Sequence, residues 1–429
     1  MLRACSKPGG PVVKRAVLAL LTVVLAALSL LCSCETAPEP CADKLGCVDL
    51  GPDEPLTLGV VQALSGKVAP LGQDQIRGLE LALASRGNKV LGRTVKLMTE
   101  DTGCNAEGGA NAALKLVADP KVLAIFGTTC SGAAASTAEV MSKAGLAMIS
   151  GNNSAPFLTA IGGHRAPKWQ TGYLRTAPNE ESAGPAAARF AYEKLGIRKA
   201  ATINDGDIYT KGLTNGFREE FEQLGGKIVL DATVNKNDAN MEPVLTTVIN
   251  SRAEMVFFPL FQPEGNHVLL QARKMPALAK TVLMSDGSLI ENSFIQAVQA
   301  AAIGMYFVGP TPPKRTPELE KLEAEYKARY HGSPPTYYFI NAFDAAGILF
   351  AAIEKAAVKG GNGRLRIGRQ ALRDALYSTT GYPGLTGSLT CDEFGDCAAQ
   401  SFNVLRLTDP TSGVEGLKGN VEFTYAPKR

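Results

Sequence analysis

Two turns in this 429-residue chain hold the residue types that could grip a small anion. They read Gly127-Thr128-Thr129-Cys130-Ser131-Gly132 and Ser150-Gly151-Asn152-Asn153-Ser154-Ala155-Pro156. Each follows a short apolar run, Val122–Phe126 in one case and Leu146–Ile149 in the other. Hydroxyls, amides and glycines at the ends of neighbouring parallel strands aim small donors at one crevice. Free backbone N–H groups at a helix start add to that field and suit a carboxylate. Taken singly, either turn could equally be a helix N-cap, where Ser and Asn are favoured. Two in succession favour a site.

Residues for catalysis are harder to find. Ser131 is the obvious nucleophile, but it sits in Thr-Cys-Ser-Gly rather than Gly-x-Ser-x-Gly. His164, His267 and His331 stand apart from one another and from any metal-ligand spacing. There is no Gly-x-x-x-x-Gly-Lys loop and no dinucleotide fingerprint. These patterns predict no enzyme, no metal and no cofactor, with a secreted hydrolase using Ser131 as the remaining alternative. The net charge of +3 includes a basic N-terminal stretch, and the rest of the chain has no basic stripe that would suit nucleic acid.

The elements that must position the two turns alternate. Leu56–Val61 reads as a buried strand, and a helical face follows with Ile76, Leu79, Leu83 and Ala84. Strands are expected at 95–101, 122–127 and 146–150, with helices at 106–117 and 133–143 between them. This is the pattern of a parallel α/β sheet with right-handed crossovers. A second block repeats it. Helices are expected at 183–194, 210–224 and 263–274, and strands at 199–204, 227–231, 254–259 and 281–285. A third block adds a strand near 304–308, helices at 316–330 and 338–358, and β-like segments at 387–390 and 403–407. The likeness of the two long blocks predicts two similar lobes.

The N-terminus reads as an export signal. Lys14 and Arg15 precede the uncharged, mostly apolar stretch Ala16–Leu31, which is short for a spanning helix and suits a signal-peptide core. It ends Leu31-Cys32-Ser33-Cys34, which resembles a bacterial lipobox, so that Cys34 would become the lipidated first residue of the mature chain. An uncleaved membrane anchor is the alternative, and either places the body outside the cytoplasm, near a membrane. Of nine cysteines, Cys5 and Cys32 leave with the signal and Cys34 takes lipid. The other six form an even set in an exported chain, which reads as disulfides. Two couples are local, Cys41–Cys47 and Cys391–Cys397. That leaves Cys104–Cys130, each just beyond an expected strand.

By its ordered motifs the chain resembles the branched-chain amino-acid (Leu/Ile/Val) binding proteins of ABC importers, within the type I periplasmic binding-protein superfamily. The carriers are Ala63-Leu64-Ser65-Gly66, Asp101-Thr102-Gly103-Cys104, Cys130-Ser131, Ser154-Ala155-Pro156, Asn204-Asp205 with Tyr209, Pro263-Glu264, and Leu389-Thr390-Cys391-Asp392 with Gly395-Asp396. The resemblance implies an α/β fold of two doubly wound parallel-sheet lobes joined by three crossovers, near 174–178, 305–310 and 390–400. The implied division is a signal at 1–33, a tether at 34–55, one lobe from 56–176 with 307–397, and a second from 177–306 with 398–429. Cys104 and Cys130 fall where some members carry a disulfide. The family's ligand positions fall on Ser131, Asn152 and Ser154 for an amino acid's carboxylate, and on Asp286 and Tyr209 for its ammonium. Without the resemblance Asp286 would read as a turn residue in Ser-Asp-Gly.

Four positions depart from the family pattern. Phe261 stands where a tyrosine is common, Leu71 where an aromatic packs on the ligand, Asn152 where a small residue is usual, and Asp286 where glutamate is common. Leucine-like specificity is therefore open. The resemblance implies a membrane-anchored receptor that takes a small polar ligand, an amino acid or similar, to an ABC permease. A sensor of the same fold is the alternative.

Overall fold

The computed structural model describes residues 40–427. The expected signal peptide, Cys34 and the first part of the tether lie outside the described residues. The remainder from Asp43 onward forms one unit built on two large sheets.

The first sheet begins with β1, Leu56–Gln62, buried at every position. A parallel strand covered on both faces reads as a continuous apolar run, which is why Leu-Thr-Leu-Gly-Val-Val is legible. β1 pairs in parallel with β2 (Arg93–Asp101) on one side and β3 (Val122–Gly127) on the other. β4 (Ala147–Ser150) and β5 (Tyr173–Arg175) extend the sheet in parallel. The order is β2-β1-β3-β4-β5, with the two-residue strand Lys89–Val90 antiparallel at the β2 edge. Helices α1 (Ala69–Ala84), α2 (Ala106–Val117) and α3 (Ser131–Lys143) make the crossovers.

The second sheet repeats this plan. β6 (Lys199–Asn204) lies between β7 (Lys227–Thr233) and β8 (Met255–Phe257), followed by β9 (Val282–Asp286) and β10 (Tyr306–Pro310). All five are parallel, in the order β7-β6-β8-β9-β10. Two antiparallel strands, β11 (Phe402–Arg406) and β12 (Val421–Tyr425), complete it. Helices α4 (Ala183–Arg189), α5 (Ile208–Gln223), α6 (Glu242–Ser251), α7 (Glu264–Ala272) and α8 (Asn292–Val298) cover this sheet. After β10 the chain returns to the first lobe. There α9 (Pro317–Tyr330) and α10 (Tyr338–Ala356) pack Leu319, Leu322, Tyr326, Phe339 and Ile340 around Leu81 of α1.

Two expected boundaries are corrected. The break at 306/307 cuts β10, all of which belongs to the second sheet, paired with β9 and β11. The tether at 34–55 is not wholly outside the fold. Cys47–Leu50 is a strand paired antiparallel with Leu365–Gly368, and Val48 and Leu50 enter the core. The alternation in Cys47-Val48-Asp49-Leu50 is that of a half-buried strand.

The crossovers are tied together by Arg175, whose side chain is fully buried. Its Nε donates to Asp396 Oδ1 at 2.6 Å and its guanidinium to the Ala155 carbonyl at 2.8 Å. Asp396 lies on the third crossover beside the Cys391–Cys397 disulfide. Cys104–Cys130 is also formed, with a Cα separation of 5.3 Å, and Cys41 and Cys47 are both disulfide-bonded.

Candidate ligand-binding cleft

The carboxyl ends of the strands in both sheets meet at a small cavity. The first lobe contributes the turns after β3 and β4. Gly127 closes β3 with φ of +152°, and a Cβ there would strike the Val61 carbonyl, so only glycine fits. Cys130 is the N-cap of α3 and makes no side-chain cap bond. Ser131 is therefore not a cap. Its Oγ accepts from the Ala155 N–H at 3.3 Å, which leaves its own O–H to donate.

The neighbours of Ser131 are divided between framework and cleft. Thr129 Oγ1 donates to Gln62 Oε1 at 2.8 Å, and Asn153 Oδ1 accepts from the Thr128 N–H at 3.0 Å. These bonds hold the two turns in place. Asn152 and Ser154 face the cavity with Ser131. The Cys104–Cys130 bridge packs directly beneath, with Ala63, Val68, Ala133 and Phe261.

The second lobe brings Tyr209 from the first turn of α5, where Asp207 caps the helix by accepting from the Tyr209 N–H at 3.0 Å. Asp207 also reaches across the cleft, since a Cβ on Gly132 at the start of α3 would run into its carboxylate. Tyr209 and Phe261 pack with ring centroids 5.3 Å apart. The Tyr209 hydroxyl donates to Asp286 Oδ2. Asp286 also accepts from the Ser288 N–H at 3.1 Å and from Ser288 Oγ at 2.8 Å. It thus caps the short helical turn Gly287–Leu289 as well as holding Tyr209.

Leu71, Ser131, Asn152, Ser154, Tyr209 and Phe261 all line the cavity, and Asp286 sits behind Tyr209 and Ser288. Thr129, Ser288 and Tyr338 line it too. Thr129 lay inside the first turn singled out from the sequence, and Ser288 two residues beyond Asp286. Tyr338 opens α10 and carried no signal of its own. Glu180 was also missed. Asn179-Glu180-Glu181 reads as a solvated helix start, yet Glu180 is only 2% exposed. The Ser154 and Tyr209 hydroxyls stand beside its carboxyl.

The cleft is therefore polarised. Its lining has no Lys, Arg or His. The first-lobe end offers neutral donors, and two buried carboxyls stand behind the other end. Burial first, and the Asp286 carboxylate second, push Glu180 up to about 8. Burial likewise raises Asp286, against the hydrogen bonds that lower it. Burial holds Tyr209 well above its ordinary value, so its hydroxyl stays a donor. The enclosed space is about 20 Å³, enough for a water-sized occupant.

A second cavity, of about 550 Å³, shares Tyr338 with the first. It is lined by the crossovers through Pro178, Pro310 and Ala398 and has no lining carboxylate. The converging strand ends and the acid pair distinguish the smaller cavity from this one.

Comparisons with known proteins identify the family. The family model described as periplasmic binding protein matches residues 55–409. The chain belongs to this family. Its members are extracytoplasmic solute-binding proteins rather than enzymes. The Leu/Ile/Val-binding protein BraC3 of Rhizobium johnstonii is 26% identical over 354 residues, covering 82% of this chain and 91% of that protein. Two crystal structures share the fold. The leucine-binding protein LivK of Thermotoga maritima superposes with a TM-score of 0.74 at 23% identity, over 87% of this chain and 99% of that one. A solute-binding protein of an R. palustris ABC transporter, in complex with 4-hydroxybenzoate, superposes with a TM-score of 0.72 at 20% identity, over 87% and 98%. Among the described residues no helix is long and apolar enough to cross a membrane.

Proposed function

We propose that this protein is a lipid-anchored extracytoplasmic receptor that captures an amino acid, or a similar small zwitterion, between its lobes and delivers it to an ABC importer. The observation that carries this reading is the polarity of the cleft. Neutral donors at one end suit a carboxylate without burying a basic residue, as helix starts and hydroxyls commonly do. Buried acids at the other end suit an ammonium. The carboxylate would be taken by the Ser131 hydroxyl, the Asn152 amide and Ser154, and the ammonium would face Tyr209 and the acids behind it. Leu71 and Phe261 would bound the side chain.

The relatives bind two chemical classes by their printed names, aliphatic amino acids and hydroxybenzoates. A benzoate brings a carboxylate and no cation, so it would leave the acid end unmatched. The cleft therefore fits the amino-acid class better. Leucine itself is not implied, because Leu71, Asn152, Phe261 and Asp286 reshape the positions that would touch the ligand.

An occupant of amino-acid size needs more than the present 20 Å³. Capture would therefore need the lobes to open and then close on the ligand, a hinge motion about the crossovers, of which the first and third are joined by the Arg175–Asp396 pair. A micromolar ligand corresponds to about 8 kcal/mol, which one charge pair and several hydrogen bonds can supply.

Thermal-shift measurements across the twenty amino acids and a set of benzoates test the reading. At least one amino acid should raise the melting temperature, and a response to benzoates alone would overturn it. Anchoring through Cys34 is tested by membrane fractionation of Cys34→Ala. Release into the soluble fraction is expected, and retention would mean that the apolar segment stays uncleaved.

A further inference from the structure

Glu180 stands behind the cleft lining and is short of partners. It lies two residues past Pro178, where its backbone N–H donates to the Ser154 carbonyl at 2.9 Å and pins it beside the β4 turn. One carboxyl oxygen, Oε1, lies next to Gly287, where a Cβ would come within 3.9 Å of it. The other, Oε2, is buried and has no hydrogen-bond partner among the described residues.

A count of protons sharpens this. Tyr209 has a single O–H, and it stands between two carboxyls that both need it. Asp286 takes that proton and has two Ser288 donors besides. Glu180 is left with the Ser154 hydroxyl alone.

The groups around Glu180 do not make up the deficit. They are Asp286 from the end of β9, Tyr209 from α5, Tyr338 from α10 and Arg175 from β5. Three of these are acidic or neutral. Arg175 is already engaged by Asp396 at 2.6 Å and the Ala155 carbonyl at 2.8 Å. A buried carboxylate short of donors is costly unless it holds a proton or meets a cation.

We propose that Glu180, rather than Asp286, is the direct acceptor for the ligand's ammonium group, and that it surrenders its own proton as that group docks. In the free protein the carboxyl is the neutral acid. On binding, its O–H proton leaves to solvent, the carboxylate forms, and an N–H of the ligand's ammonium takes the vacated place. The charge of the site is thereby matched by a primary or secondary ammonium. Ligands with a permanently methylated nitrogen, which offers no N–H donor, are rejected. Asp286 is a positioning residue that aims the Tyr209 hydroxyl. The proposal rests on the zwitterion reading, and burial together with Asp286 holds Glu180 protonated up to about pH 8 in the free protein.

Two measurements test it. The first needs no ligand. Infrared spectra of the free protein between pH 6 and 9 should contain a protonated-carboxyl component that persists above the range of Asp74 and Glu291, fades near pH 8 and is missing from Glu180→Gln. A spectrum unchanged by that substitution would overturn the proposal. The second is calorimetric titration at pH 6.5, in phosphate and in imidazole, with the amino acid that gives the largest melt shift. The wild type should release close to one proton per ligand, and its affinity should fall about tenfold per pH unit between 7.5 and 5.5. Glu180→Gln should bind at least about 100-fold more weakly, with no proton released and a flat pH profile. If Glu180→Gln keeps both affinity and proton release while Asp286→Asn loses them, Asp286 is the acceptor and this proposal fails with the zwitterion reading intact. If no amino acid binds the wild type at all, the zwitterion reading itself fails.

Discussion

At the first-lobe end of the cleft every polar group lining the cavity is neutral, and its geometry is held by a disulfide and by side-chain hydrogen bonds. The Cys104–Cys130 bridge and the Thr129–Gln62 and Asn153–Thr128 hydrogen bonds fix two turns at the ends of β3 and β4. At the second-lobe end two buried carboxyls flank one tyrosine hydroxyl, and neither has a basic partner in the cavity lining. The first end is preorganised and indifferent to pH. The second carries unpaired charge chemistry that a ligand or a proton must complete. Pairing a rigid dipolar surface with an unsatisfied acidic one lets a single cleft require both ends of a zwitterion. A ligand with only one end would leave the other surface unmatched.

Perturbing each end separately should reveal this asymmetry. Reduction of Cys104–Cys130 undoes the support of the first end and should give the largest effect. The chain-entropy model assigns a loop of this size roughly 3–4 kcal/mol. A calorimetric melt in reductant should shift down markedly, and an unchanged melt would mean that the bridge does not stabilise this lobe. Asp286→Ala comes next. It removes the acceptor of four donors and frees Tyr209, costing about 3 kcal/mol of binding, or about 100-fold in affinity, by titration calorimetry. Ser131→Ala removes one neutral donor from the first end and should cost about 1 kcal/mol, or about fivefold. If the two substitutions cost the same, the contrast between the ends is wrong.

The smallest effect is on the pH dependence of stability. Glu180 is raised to about 8, and Asp74 and Glu291 to about 7, in each case chiefly by burial. The folded state then holds protons that the unfolded chain releases above its ordinary carboxyl range. The stability these groups confer is complete only below the ordinary carboxyl range, about pH 4, and is lost progressively as pH rises to about 7 to 8. Ligand-free protein should therefore melt higher at pH 6 than at pH 8.5. Glu180→Gln should flatten part of that slope, and Ser131→Ala should leave it alone.

Much of the frame was legible because parallel strands advertise themselves. β1 and β3 are buried throughout and mostly apolar since both faces are covered, and the repeated strand–helix alternation points to both lobes. Long-range pairing was not legible. Cys47–Leu50 joins the fold only by meeting Leu365–Gly368, more than three hundred residues away, and no local pattern announces that partner. β10 was placed in the wrong lobe because its neighbours β9 and β11 decide its membership, not its own residues.

The site shows the same division. Ser131, Asn152 and Ser154 follow strands and could be read from the turns themselves. Asp286 was found by resemblance, and only the packing shows it standing behind Tyr209. Glu180 looks like any acidic helix start until the crossover turns it inward. α6, α8 and α11 (Arg369–Tyr377) were also missed, being short and weakly patterned in a chain whose long helices drew the eye.

The requirement for both ends is tested most directly by calorimetric titration with three matched compounds. These are the best-binding amino acid, the amine left when its carboxylate is removed, and the carboxylic acid left when its ammonium is removed. Binding by the amino acid, with each truncated partner weaker by about 100-fold or more, is the expected result. A carboxylic acid that binds as tightly as the intact amino acid would contradict the reading, because it would show that the acid end of the cleft meets no cation.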